Sequence, residues 1–153
     1  TRKESSAASD VYKRQALEKK FNEKIDNIES LLKSIEPYET ERVAKIRERI
    51  TDALEKTISV DYDKNRLEQE LIYYIEKLDI NEEKQRLSNH LRYFRETMAG
   101  GHGQGKKLGF IAQEMGREIN TTGSKSNHAE MQNIVVQMKD ELEQIKEQVL
   151  NVM

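Results

Sequence analysis

The sequence predicts an all-α protein, built as long antiparallel helical hairpins or a bundle, and three observations carry that prediction. Apolar residues recur at spacings of three and four in six successive segments, the period of an amphipathic helix. One proline and seven glycines punctuate 153 residues, which leaves few sites for turns. Hydrophobic residues make up 35% of the chain and charged residues another 35%, a balance that suits helices with one wet face better than strands.

Residues 1–14 show no apolar period and read as a disordered or non-native tail. From Gln15 the pattern changes. Leu17, Phe21, Ile25, Ile28, Leu32 and Ile35 mark a first helix, which Pro37 ends or from which it opens the next. Val43, Ile46, Ile50, Leu54 and Ile58 stripe a second helix, and the short connection predicts an antiparallel hairpin with the first. "SVDYDKN" (59–65) reads as a turn, and Leu67, Leu71, Tyr74, Ile75 and Leu78 stripe a third helix. Asp79 is the expected N-cap of the fourth, with Glu82 completing a capping-box pattern and Leu87, Leu91, Phe94 and Met98 as its stripe.

"AGGHGQG" (99–105) holds four of the glycines and reads as a flexible break. Leu108, Ile111, Ala112, Met115 and Ile119 stripe the fifth helix, which Thr122-Gly123 is expected to stop. Ser124 or Ser126 is the expected cap of the sixth. That helix carries Met131, Ile134, Val135, Met138, Leu142, Ile145, Val149 and Val152 at near-heptad spacing, which predicts packing along a long partner helix. Residues 15–153 thus make one helical domain. An assembly of this size exposes much surface, so a partner subunit or a further domain is expected.

The formal net charge is −2, with 26 basic and 28 acidic residues, so any nucleic-acid site must come from local clustering. Absence of cysteine excludes disulfides, zinc–thiolate sites and a cysteine nucleophile. No apolar run approaches the roughly 20 residues of a membrane span, and the start lacks the apolar middle of a signal peptide. No membrane partner and a cytoplasmic location are the expectations.

The chemistry concentrates in "GKKLGFIAQEMGREINTTGSKSNHAEM" (105–131). On a helical wheel Lys107, Glu114 and Glu118 stack on a flank of the core stripe, while Phe110, Arg117 and Thr121 lie opposite the core. The plain interpretation is a salt-bridged, solvated flank. A sharper one starts from Gly105-Lys106-Lys107, two cations at a helix entrance after a glycine-rich loop, where amides and dipole favour a phosphate. No Ser or Thr follows the lysines, so the stretch is not a Walker A loop. "GSKSN" (123–127) offers Lys125 and two hydroxyls at a second helix start. His90 flanks the fourth stripe with Arg86 and Tyr93. With Glu70, Glu114 and Glu118 it makes a candidate set for a hard cation, provided helices three, four and five pack side by side.

The same stretch strongly resembles the hallmark segment of the YicC-like (YicC/YloC) bacterial proteins. It supplies Gly105, Lys106, Lys107, Leu108, Phe110, Gln113, Glu114, Met115, Arg117, Glu118, Asn120, Thr121, Gly123, Ser124 and Lys125 in the family's order. Upstream, "RLEQELIYYIEKLDINEEKQRLSNHLRYF" (66–94) resembles the family's preceding segment, and "KDELEQIKEQVLNV" (139–152) its C-terminal helix. The resemblance covers roughly residues 15–153. It implies the C-terminal portion of an endoribonuclease that depends on a divalent cation, magnesium or manganese, and that assembles as a homo-oligomer, a hexamer at full length. The family's N-terminal domain is absent from this stretch, and "SSAASDVYKRQ" matches nothing in the family pattern.

Placed on these positions, the implied roles are phosphate contacts by Lys106, Lys107, Arg117 and Lys125, and base stacking by Phe110. Glu70, His90, Glu114 and Glu118 would hold the metal, with His90, Glu114 and Glu118 catalytic. Two other readings stand beside cleavage of RNA phosphodiesters: a non-catalytic RNA-binding or adaptor module, and a helical oligomerisation domain whose charges are ion pairs.

Overall fold

A computed structural model describes residues 2–57, 64–100 and 104–151. Those residues form six α-helices and no strand: α1 (Arg2–Ser34), α2 (Glu36–Thr57), α3 (Lys64–Leu78), α4 (Asn81–Ala99), α5 (Gly105–Lys125) and α6 (Ala129–Leu150). The fold is all-α, as its periodicity predicts. The predicted turn over 59–65 lies mostly, and the glycine-rich break partly (101–103), outside the described residues.

Four helices make the bundle. In cross-section α4 packs on α5, α5 on α6, α6 on α1, and α1 closes the ring more lightly against α4. The predicted stripes are the core: Phe21, Ile25 and Ile28 from α1, Leu87, Leu91 and Phe94 from α4, Leu108, Ile111, Met115 and Ile119 from α5, and Met131, Val135, Met138, Leu142 and Ile145 from α6 are all buried. Phe21 and Phe94 meet edge to face with centroids 5.4 Å apart. Ion pairs and a hydrogen bond stitch the outside. Lys24 and Asn27 of α1 reach Glu141 of α6, and Arg95 of α4 reaches Asp26 and Glu29 of α1.

Several boundaries, caps and one helix placement differ from the sequence expectation. Helix α1 starts at Arg2, so residues 2–14 continue it instead of forming a separate tail. Within that stretch Val11 and Tyr12 are exposed, and packing begins at Leu17. Helix α2 does not lie along α1; it pairs chiefly with α3 and leaves the bundle after its first turns. Its stripe explains this, because Ile46 and Ile50 are only half-buried and the buried charged positions are Glu39 and Arg42. Asp79 is not the N-cap of α4: Ile80 takes that position without a side-chain cap, Asp79 one residue earlier accepts from the Asn81 N–H at 3.1 Å, and Glu82 pairs forward with Arg86 instead of reaching back.

Finally, Thr122-Gly123 does not stop α5, which runs on to Lys125. His128, not Ser124 or Ser126, caps α6: its Nδ1 accepts from the Glu130 and Met131 amides. Both serines instead donate to carbonyls of the last turn of α5. Gly123 has a different use. A Cβ there would stand 3.0 Å from Val135 Cγ1, and one on Gly116 would stand 3.2 Å from Leu142 Cδ2. With Gly109 opposite Val149, three glycines seven residues apart receive three α6 side chains seven apart. A helical glycine costs about 1 kcal/mol against alanine; here it lets α5 and α6 approach closely.

A candidate nucleic-acid interface along the α4–α5 seam

Helices α4 and α5 run antiparallel, so the start of α4 meets the end of α5 and the reverse. This brings the flank residues of both into one stripe. At one end Glu83 holds Lys125, with Oε1 and Nζ 2.8 Å apart, and the same ammonium donates to the Asp79 carbonyl at 3.3 Å. In the middle Glu118 of α5 lies within the field of Arg86, His90 and Glu83 of α4 and of Glu114 one turn away. At the other end the Lys107 ammonium stands 5.1 Å from the centroid of the Tyr93 ring, a cation–π contact.

The stripe opens outward onto the solvent face of α5. Phe110 is 63% exposed, a large apolar ring that the core does not use. Arg117 is exposed and meets Glu114 at 3.7 Å. Lys106 is exposed and joins no ion pair among the described residues. The first turn of α5 contains no acidic residue, and Gln104 provides no side-chain cap, so the positive end of the helix dipole is left without a negative side chain among the described residues.

The buried polar groups of the stripe are under-satisfied. Glu83 Oε2 and His90 Nδ1 are both buried without a hydrogen-bond partner. Burial, the largest influence, raises the Glu118 carboxyl above the ordinary 4.5; Arg86 and His90 pull it back, and Glu83 and Glu114 push it up again. The fold therefore binds a proton on Glu118 more tightly than the unfolded chain does. That stabilisation is fully present below the ordinary value and is lost as pH rises through the raised one. Glu118→Gln should consequently raise Tm at neutral pH, and the gain should vanish below about pH 4.5, where both side chains are neutral. A Tm difference that stays constant across this range would show that the carboxylate carries no burial penalty.

The metal set fares differently. Helix α3 packs on α2, the two forming an arm off the bundle, and does not run along α5, so Glu70 stands on that arm. Among the described residues no group of three histidine, aspartate or glutamate side chains is placed to hold a metal ion. His90, Glu114 and Glu118 do share the seam, but not as a ligand cage. The described side chains thus form no three-ligand cation site, and no chemical step is routed through a metal ion.

Three residues of this region escape the sequence reading. Tyr93 shows there only as a flank residue, and its part is the Lys107 contact. Glu83 and Arg42 are charged residues at core positions of their helices: Glu83 stands four before Leu87, and Arg42 four before Ile46. A charge falling on an apolar stripe is the available signal.

The region has relatives among known proteins. Residues 35–153 match the family described as endoribonuclease YicC-like, C-terminal. Over 131 residues, 83% of the chain, it is 37% identical to a protein of Clostridioides difficile (strain 630) named probable endoribonuclease YicC, and spans 44% of that protein. It is 32% identical over 126 residues, 82% of the chain, to the protein of the same name from Haemophilus influenzae, of which it spans 41%. The chain therefore spans less than half the length of these relatives.

Proposed function

The chain belongs to the YicC-like endoribonuclease family by its C-terminal region, and from that premise we propose that the α4–α5 seam is the face on which RNA is bound and cleaved. The observation that carries this is the convergence of exposed cations and aromatic rings with the buried Glu118 and half-buried His90 on one stripe. Lys106, Lys107 and Arg117 meet the phosphates. Phe110 and Tyr93 offer ring faces to unstacked bases, a sequence-tolerant way to hold single strands. Lys125, at the far end, retains one donor of its ammonium beyond the two that Glu83 and Asp79 occupy.

Cleavage of a phosphodiester takes a proton from the attacking hydroxyl and gives one to the leaving oxygen. Glu118 holds its proton to higher pH than an ordinary glutamate. His90, whose Nδ1 has no partner, is the adjacent group able to exchange one. Glu114, tied to Arg117, orients that guanidinium toward phosphate. Magnesium or manganese dependence and assembly into a homo-oligomer belong to this proposal as properties of the whole protein. Cleavage measured with and without EDTA tests the first, and sedimentation the second.

A second reading has one observation in its favour: Lys125 and Arg117 are engaged with Glu83 and Glu114, as in a helical module whose charges are internal pairs. Binding of an oligoribonucleotide by Lys106→Ala/Lys107→Ala separates the two. Under the RNA reading affinity falls, and the slope of log affinity against log salt drops by about 0.7 for each phosphate that is no longer neutralised. Unchanged affinity and slope would leave only the structural reading.

A further inference from the structure

Arg42 is the largest side chain in the interior, 2% exposed, and its charge is bound on every side. Nε and Nη2 form a fork on the Glu39 carboxylate at 3.2 and 3.0 Å. Nη1 donates to the Lys125 carbonyl at 3.0 Å and Nη2 to the Leu78 carbonyl at 2.5 Å. These are the last residues of α5 and α3, whose final carbonyls have no partner within their own helices. A cation there also opposes the negative end of each helix dipole. One guanidinium thus ties the root of the arm to the end of α5.

The carbonyl it grips belongs to the lysine that ends the seam. Lys125 is held from both sides: Arg42 on its backbone, Glu83 and the Asp79 carbonyl on its ammonium. Of these four charged residues, Glu39, Arg42 and Glu83 are buried, while the Lys125 side chain is 31% exposed. An ammonium has three donors, and two are committed here. The third is the one open to an anion, and its direction is set by the anchors.

We infer that Arg42 is a positioning residue for RNA binding, which acts by fixing Lys125 at the end of the seam and does not touch RNA itself. The inference rests on the seam being the RNA site. It adds the arm to the working parts of the protein, because the arm's own α2 carries the guanidinium that places a phosphate ligand. A phosphate contact of this kind gains affinity from being held in place before the ligand arrives.

The test uses Arg42→Lys in the 153-residue chain, since lysine keeps the charge but cannot fork onto Glu39 and reach both carbonyls. Two readouts are taken. In the free protein, acylation of Lys125 by an anhydride, followed by mass spectrometry, should become several-fold faster, while Lys24 on the α1–α6 side should react as before. With a single-stranded oligoribonucleotide, Arg42→Lys should weaken binding roughly two- to tenfold, and should add nothing once Lys125→Ala is present, the non-additivity expected of residues acting as one unit. Losses that simply add would overturn the inference and leave the RNA site standing. If Lys125→Ala alone leaves affinity unchanged, Lys125 is no phosphate ligand and the inference falls with that assignment. Equal acceleration at Lys24 and Lys125 would mean that Arg42 supports the whole fold and positions nothing in particular.

Discussion

Phe94→Ala should lower the stability of the chain by about 3–5 kcal/mol, the usual cost of deleting a buried phenyl ring. Phe94 is fully buried, and its ring meets Phe21 at 69° with centroids 5.4 Å apart. The α1–α4 contact is the lightest of the four sides of the bundle, so this aromatic pair supplies a large share of it. Alanine would leave a cavity beside Phe21, and the long helices around it cannot close it without moving α1 off α4. Arg95 on the same helix would keep its ion pairs with Asp26 and Glu29, but partly exposed pairs are worth too little to compensate. Urea unfolding followed by circular dichroism measures the loss. Phe110→Ala is the control, since that ring lies in solvent and its removal should change stability by no more than about 0.5 kcal/mol. A loss below about 1 kcal/mol for Phe94→Ala would mean that the α1–α4 contact is not held by this pair.

The contrast between those two rings marks what is legible in the sequence. Phe94 falls on a 3.6-residue stripe and Phe110 falls off one, and periodicity alone sorts them correctly. The same signal locates the cores of α1, α4, α5 and α6, because each of these helices buries one face against two neighbours. It fails for the placement of α2. A short connection after Ile35 suggests a hairpin with α1, whereas the buried positions that follow are Glu39 and Arg42, and a charged pair cannot replace an apolar stripe in the bundle. Helix α2 therefore pairs with α3 and meets the bundle at its root, where Tyr38 packs on the core and Arg42 donates to the Lys125 carbonyl. Gly123 misleads for a related reason. Glycine commonly ends helices, but here it makes room for Val135, and the signal is its spacing of seven from Gly116 and Gly109.

For the seam, the wheel of α5 places Lys107, Glu114 and Glu118 together, and the structure keeps them there. The partners of those residues depend on how α4 and α5 register against each other, which no local pattern encodes. Antiparallel packing delivers His90 and Arg86 to Glu118 and Tyr93 to Lys107, but it leaves Glu70 behind on the arm. The loop context of Lys125 suggests an open phosphate ligand. It does not disclose Glu83, whose buried carboxylate occupies part of the ammonium.

In the full-length protein carrying this region, Glu118→Gln should lower RNA cleavage by about 10²- to 10⁴-fold, the range for loss of a general acid or base. Glu118 is 5% exposed, lies within the fields of Arg86, His90, Glu83 and Glu114, and holds its proton above the ordinary glutamate range. Glutamine keeps its shape and its hydrogen-bonding length but cannot exchange a proton. RNA affinity should stay equal or rise slightly, because a negative charge near phosphate is removed while Lys106, Lys107 and Arg117 are untouched. Glu114→Gln frees Arg117, a phosphate ligand, from its 3.7 Å pair, so its effect should appear in affinity as well as in turnover. Glu118→Gln thereby separates chemistry from binding, which the lysine variants do not. The pH profile adds a further check: if Glu118 works as the acid, the wild-type rate should fall as pH rises through its raised value, and that limb should disappear in Glu118→Gln. Should both variants cleave at the unmutated rate, the glutamates are only charge partners for Lys107, Arg86 and Arg117, and the proton transfers must be sought elsewhere in the protein.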